Sequence, residues 1–358
     1  MKKKILFLVV LCFFSIKEIS AQIILSDTSE ISIVTAGPGA ELYEKFGHSA
    51  IRIVDASLNI DLIYNYGIFD FNTPNFYTNF AKGKMYYVLA KYDFKYFIAS
   101  YNRDGRWLKQ QVLNLNLSEK KLIFNYLEKN ALQENAGYLY DPFFDNCATK
   151  LRDILQVTLK DSIALNSTKI LNNISLRELM DQEIYWYTWG NFGINTIAGT
   201  ILDKKRSQLA YTYLPDQLYK TVKYAKIKRA NKFIPLVEKE ELLLSFSEQP
   251  TPLHVLNPLL IFIILLIIVL FISFKDLKNN KRTKLLDFII FLITGIVGLI
   301  LAYLWLFSSH TTAPNNFNLL WAFLPNLFIA FTIGREKPKT WVKTCLLYTS
   351  DAADDLFR

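Results

Sequence analysis

The sequence predicts an α+β domain followed by an α-helical transmembrane region. Three observations carry this. Between Ile31 and Leu115, short β-branched and aromatic runs are separated by turn residues, the pattern of an antiparallel sheet. Capped helical stretches begin near Ser118 and at Cys147. From Val255 onward the chain becomes long, apolar and nearly uncharged. The chain is 51% hydrophobic, with 27 Phe, 20 Tyr and 6 Trp, and that apolar content is concentrated rather than spread.

Residues 1–21 read as a signal peptide. Lys2 to Lys4 form a basic start, Ile5 to Phe14 an apolar run, and Ile19-Ser-Ala21 a small-residue cleavage site. Residues 31–35 are expected as a strand, Ala36 to Gly39 as a loop, and Glu41 to Lys45 as a helical turn. Phe46 to Val54 and Ile60 to Tyr66 alternate as two strands about a turn at Asp55 to Asn59. If they pair as a hairpin about Ser57-Leu58, His48 lies opposite Gly67. Asn65 then sits diagonally adjacent on the same face, while Tyr64 and Tyr66 point away. Phe69 to Phe80 reads as an aromatic loop. Met85 to Ala90 and Trp107 to Leu115 are further strands, with Phe94 to Ile98 a strand or a helix start. A helix should run from Ser118 to about Lys129, and another from Cys147. Ser175 to Glu183 is helical, Tyr185 to Gly193 an aromatic stretch read as packing, and 217–245 a helix with Lys220 to Arg229 on its solvated side. The domain divides into 22–160 and a helical, aromatic-rich extension over 161–254.

The transmembrane region covers 255–334, with spans at 256–274, 285–307 and 317–333. The formal charge of +9 sits mostly around these spans. Counting residues gives +2 for 22–254, but +4 for 255–284 and +3 for 335–345. This basic excess speaks for membrane topology and against nucleic acid. It places 22–254 outside, 275–284 inside, 308–316 outside, and the basic segment 335–344 inside. Residues 345–358, Cys345 included, resemble the translated text of a sequencing adapter and read as a non-native tail. Cys12 lies inside the leader's apolar run.

Cys147 is therefore the lone thiol of the exterior domain. In Tyr140-Asp-Pro-Phe-Phe-Asp-Asn-Cys-Ala-Thr, Pro142 stops the chain and Asp145 or Asn146 caps a helix that Cys147 opens. The positive end of the helix dipole favours a thiolate there. A free cysteine is more often a small buried hydrophobe, and a strand histidine more often structural. A catalytic thiol needs a base within reach and a residue that orients the base. Cys147, His48 and Asn65 supply the three types. No second Cys or His stands at ligand spacing, and neither a phosphate-binding glycine loop nor a Gly-x-Ser-x-Gly elbow occurs. No cofactor or metal is implied.

Ile31 to Gly39, Phe46-Gly-His-Ser-Ala-Ile-Arg52, Tyr64-Asn-Tyr-Gly67 with Phe69-Asp-Phe71, and Phe144-Asp-Asn-Cys-Ala-Thr-Lys-Leu-Arg-Asp153 resemble the Lnb N-terminal periplasmic domain family of Gram-negative envelopes. Trp189 to Ile194, Leu214-Pro-Asp216 and Asn316 to Trp321 fit it as well. The order of His48 and Cys147 more distantly resembles the circularly permuted papain-like group, which includes NlpC-like and lecithin–retinol acyltransferase-like enzymes. That resemblance implies a permuted papain-like exterior domain, with Cys147 as nucleophile and His48 as base. Asn65 enters by register alone.

Two functions follow. The first is a membrane-anchored periplasmic cysteine hydrolase or acyltransferase. It would form a Cys147 thioester from an amide or ester of the envelope, in cell-wall, lipid-linked or lipoprotein substrates. The second is a non-catalytic envelope module that assists folding or assembly of another exported protein. A third, weaker idea places the site in the membrane at His310. The partner common to all is the lipid bilayer, in the inner membrane of a Gram-negative bacterium.

Overall fold

A computed structural model describes residues 23–165, 173–248 and 254–333. The expected signal peptide, the basic segment 335–344 and the 345–358 tail fall outside the described residues. The strands are β1 (Glu30–Ala36), β2 (His48–Asp55), β3 (Ile60–Ile68), β4 (Tyr86–Asp93), β5 (Leu108–Leu113), β6 (Gly137–Leu139), β7 (Ile163–Ala164), β8 (Lys226–Arg229), β9 (Lys232–Pro235) and β10 (Val237–Leu244). The helices are α1 (Phe76–Ala81), α2 (Phe94–Arg103), α3 (Leu117–Asn130), α4 (Cys147–Leu159), α5 (Leu176–Glu183), α6 (Trp189–Ile197), α7 (Gln208–Tyr211), α8 (Pro215–Tyr224), α9 (Pro258–Lys278), α10 (Lys284–Leu306) and α11 (Asn326–Ile333).

Seven strands form one sheet in the order β10-β5-β1-β2-β3-β4-β6, and every neighbouring pair is antiparallel. The period of two along each strand sorts the side chains. Ile31, Ile33, Ile51, Ile53, Tyr64 and Tyr66 go to one face, where they share a core with Leu151, Ile154 and Leu155 of α4. Val34, Ala50 and Ile63 go to the other, against Phe94, Phe97 and Tyr101 of α2. Helices thus cover both faces, and α4 lies on the larger core. Truncating a fully buried anchor such as Leu151 to alanine costs about 2–5 kcal/mol.

Several expectations change. Residues 217–245 are not one helix. Helix α8 stops at Tyr224, and β8, β9 and β10 follow. Lys226-Ile-Lys-Arg alternates, Ile227 faces Ile234 across the hairpin, and Ala230 takes the left-handed turn conformation at φ 49°. Pro235 could not continue a helix. Strand β10 also pairs with β5, which would otherwise be an open edge. The charges read as a helix face are mostly outward strand positions. Leu218, Val222, Ile227 and Leu236 share the core on which α4 packs. Helix α3 starts one residue before Ser118, capped reciprocally by Asn116 and Glu119. The Phe69 to Phe80 stretch contains α1. Phe94 opens a helix rather than a strand. Tyr185 and Trp186 are exposed, whereas Trp189 contacts Phe192 and Phe262 and donates its indole N–H to the Leu256 carbonyl at 2.8 Å.

In the membrane region α9 and α10 have 21 and 23 residues and match the first two expected spans. At about 1.5 Å per residue each is long enough to cross a bilayer. The third expected span, 317–333, is not continuous. A single 3₁₀ turn covers Phe317–Leu320, and α11 begins only after Pro325, with eight described residues.

The outer loop after α10 ties the two parts together. Ser309 N donates to the Lys82 carbonyl at 2.8 Å, and His310 Nε2 meets the Phe80 carbonyl at 2.9 Å. Gly199 N donates to Thr312 O at 2.7 Å, and Asn316 Nδ2 to Thr196 O at 2.8 Å. Two glycines make this approach possible. A Cβ on Gly83 would lie 2.5 Å from His310 N, and one on Gly199 1.8 Å from Pro314 O.

Candidate active site

Cys147 is the first residue of α4, as its sequence context predicts. The turn before it is set by Asp141, whose Oδ1 accepts from the N–H groups of Phe143 and Phe144, both at 2.9 Å. Asn146 is the cap. Its Oδ1 accepts from Ala148 N and Thr149 N at 3.0 Å, and its Nδ2 donates to Pro142 O and Tyr213 O at 2.8 Å. Thr149 Oγ1 returns the contact to Asn146 N at 2.7 Å. The buried cap side chain therefore has partners for both its oxygen and its nitrogen, and the start of α4 is rigid. Among the described hydrogen bonds, the Cys147 N–H is a first-turn donor that neither the Asn146 side chain nor its carbonyl takes up.

His48 begins β2. The β2–β3 register places Ile51 opposite Tyr64 and Arg52 opposite Ile63, which extends to His48 opposite Gly67, as the hairpin argument expects. Asn65 and His48 then share a face. Asn65 Oδ1 lies 2.6 Å from His48 Nε2, and Asn65 Nδ2 donates to the Tyr92 hydroxyl at 2.9 Å. Asn65 thus bridges the Tyr92 hydroxyl and the His48 ring, with its amide oxygen facing Nε2. Cys147 and His48 are, after burial, the strongest influence on each other's charge, and with Nε2 on Asn65 the Nδ1 atom remains for the sulfur. Cys147 lies beside Gly67, where a Cβ would stand 3.8 Å from Cys147 Cβ. The structure thus brings Cys147, His48 and Asn65 together. It does not bring His310 to them, because that ring packs on Phe80 and bonds its carbonyl.

The pair's electrostatics favour charge separation. Burial pushes the Cys147 thiol up, but the facing His48 charge, its hydrogen bond, and the N–H groups of Ser49 and Ala148 outweigh burial, so the pKa falls below that of a free thiol. Burial pushes His48 down, yet the Cys147 thiolate and the hydrogen bonds with Cys147 and Asn65 reverse this, and the imidazole ends above its ordinary value. The nearby Arg106 guanidinium works against that rise.

Neutral phenols surround the sulfur. Burial, followed by the Cys147 charge, raises the pKa of Tyr138 and Tyr140. Tyr101 is raised by burial against a pull from Arg106. The Tyr138 hydroxyl is buried with no hydrogen-bond partner among the described residues, and it would stand 3.8 Å from a Gly67 Cβ. Tyr92, Tyr138 and Arg106 did not stand out in the sequence. Their role depends on β4, β6 and β5 converging on one end of the sheet, which local pattern does not reveal.

That end has a direction. Strands β1 and β3 finish there and β2 and β4 begin there, and the loop after β3 and the Asp141 turn both bond the outer loop of the membrane region. The architecture is that of a bacterial inner-membrane protein with a periplasmic N-terminal domain, its cysteine–histidine cluster at the membrane-facing end. Residues 18–182 match the family model for the Lnb N-terminal periplasmic domain, and residues 249–350 match that for the Lnb transmembrane domain. The chain belongs to the Lnb family. No curated protein and no solved structure matches it.

Proposed function

We propose that this protein is a membrane-anchored periplasmic cysteine hydrolase or acyltransferase that works through a Cys147 thioester. The observation that carries the reading is the gathering, at the membrane-facing end of the sheet, of Cys147 at the start of α4 with the hydrogen-bonded pair His48 and Asn65. A cysteine that opens a helix packed on the sheet bearing the histidine is also what the papain-like resemblance implies. The Cys147 thiolate attacks the carbonyl carbon of an amide or ester, forming a C–S bond and a tetrahedral oxyanion. The N–H of Cys147 and the Tyr138 hydroxyl, neither of which has a hydrogen-bond partner among the described residues, are the donors that would meet that oxyanion. The His48 imidazolium gives its proton to the departing amine or alkoxide as the C–N or C–O bond breaks. Water or an acceptor amine or alcohol then loses its proton to His48, attacks the thioester carbonyl and expels the thiolate. Asn65 is a positioning residue that holds the ring. The site's orientation supports lipid-linked or lipoprotein substrates presented at the membrane surface.

Incubation of the full chain in detergent with a p-nitrophenyl acyl ester, followed by peptide mass spectrometry, tests the reading. An acyl group on Cys147, absent in His48→Ala, is the expected result. A thiol that neither acylates nor alkylates faster than free cysteine at pH 7, in a folded protein, sinks it. The assembly module then becomes the better account, and the exposed Tyr185 and Trp186 favour it as a protein-binding surface.

A further inference from the structure

The membrane-facing end carries an aromatic surface that the proposed chemistry does not use. Phe71, Tyr77 and Phe80 lie at the surface of the loop after β3 and of α1, with exposures of 47%, 73% and 49%. Their positions are fixed from beneath. Phe69 meets Phe71 edge-on at 4.9 Å and stacks on Tyr87 at 4.8 Å, while Phe76 contacts Phe71, Tyr77 and Phe80. Underlying rings hold the outer ones outward, and a cluster of large aromatic rings so close in sequence is an unusual surface to leave in water.

The membrane spans say what covers it. The carbonyls of Phe80 and Lys82 bond His310 and Ser309, and these residues follow directly on α10, which ends at Leu306. Helix α1 is therefore fastened three to four residues past the end of a membrane-crossing helix, at the level of the bilayer surface. Lys82 and Lys84 follow α1 and are exposed. Aromatic rings beside lysines make up an interfacial segment, with rings at headgroup depth and ammonium groups at the phosphates. We propose that α1 with Phe71 is a membrane-docking surface, seated in the headgroup region of the periplasmic leaflet of the membrane that the chain itself spans. The surface anchors the domain at two points, through the spans and through α1, and so fixes the height of the sheet end above the lipid.

The test is photocrosslinking of the full chain in vesicles of phosphatidylethanolamine and radiolabelled phosphatidylglycerol. Benzoylphenylalanine replaces Tyr77, and in separate proteins Phe71 or Leu58. Leu58 is 43% exposed and stands in the turn between β2 and β3, at the opposite end of the sheet. The exposure of Tyr77 makes the replacement tolerable to the fold, and Phe71 gives a second reading if it is not. Lipid adducts at 77 and 71 at least ten-fold above those at 58 are expected. Adducts no stronger than at 58, or adducts only to protein, whether the same chain, a second copy or another partner, would overturn the proposal.

Discussion

Where β2 ends, Asp55 accepts from Ser26 N at 2.7 Å, Ser26 Oγ at 2.8 Å, Ser57 N at 3.2 Å and Ser57 Oγ at 2.7 Å. Close by, Asn116 and Glu119 cap each other's backbone, and Arg229 joins Glu119 to the Asn114 carbonyl. Where β2 begins, at the other end of the same sheet, matters differ. Thr35 Oγ1, Ser49 Oγ, Arg106 Nη2 and the Tyr138 hydroxyl are buried without a hydrogen-bond partner among the described residues, as are Ser32 Oγ and Gln111 Oε1 farther along the sheet. A buried polar atom left unpaired costs about 1–3 kcal/mol, and four of them stand around His48. The closed end is built for stability. The open end keeps polar atoms, a thiol and an imidazole in reserve, and it is the end that faces the membrane.

If that contrast is right, substitutions at the two ends separate into chemical and structural effects. The largest should come from Cys147→Ala and His48→Ala, each lowering acyl transfer by about 10⁴-fold or more. His48→Ala should also return the thiol toward its free pKa of about 8.5, which iodoacetamide labelling against pH reads directly. In the wild type the sign is fixed by the two shifts. Activity rises as pH climbs through the lowered Cys147 pKa and falls as pH climbs through the raised His48 pKa, giving a bell. Asn65→Ala leaves both reacting groups but frees the ring, and a rate loss on the order of 10³-fold is expected. The ascending limb should remain, because the sulfur keeps the Ser49 and Ala148 N–H groups. Tyr138→Phe should lower the acylation rate by about 10²-fold without moving the labelling curve, since an oxyanion donor acts only in the transition state. An unchanged rate would remove Tyr138 from the site.

Much of the site was legible because its determinants are local. Asp145-Asn146 before Cys147 spells a helix cap, and the turn at Asp55 to Asn59 sets a register in which Asn65 meets His48. A one-residue slip would have put Tyr66 there. The Tyr138 hydroxyl comes from β6 and the Arg106 guanidinium from the segment just before β5, and nothing local brings those strands to His48. The misread 217–245 shows the same limit. Lys, Glu and Leu in that stretch satisfy a helical pattern, and the edge of β5, more than a hundred residues earlier, decides that β10 becomes a strand. The broken third span follows similar logic, since Asn318 and Pro325 interrupt an apolar run that hydropathy alone reads as continuous.

The smallest chemical effect should come from the joint between the two parts. Asp141 uses Oδ1 to hold the turn that leads into Cys147 and Oδ2 to accept from the Thr311 hydroxyl of the outer loop. Thr311→Val deletes one hydrogen bond, about 1 kcal/mol, and leaves the cap itself intact. A rate loss of no more than about five-fold follows, with the labelling curve in place. Asp55→Ala, at the closed end, is the control that gives the comparison its edge. Losing the acceptor for Ser26 and Ser57 should lower stability by about 2 kcal/mol in denaturant unfolding, while the acylation rate of the folded protein stays as it was. Were Asp55→Ala to slow acylation as much as Tyr138→Phe does, the two ends would not be separable, and the open polar atoms near His48 would need an explanation other than chemistry.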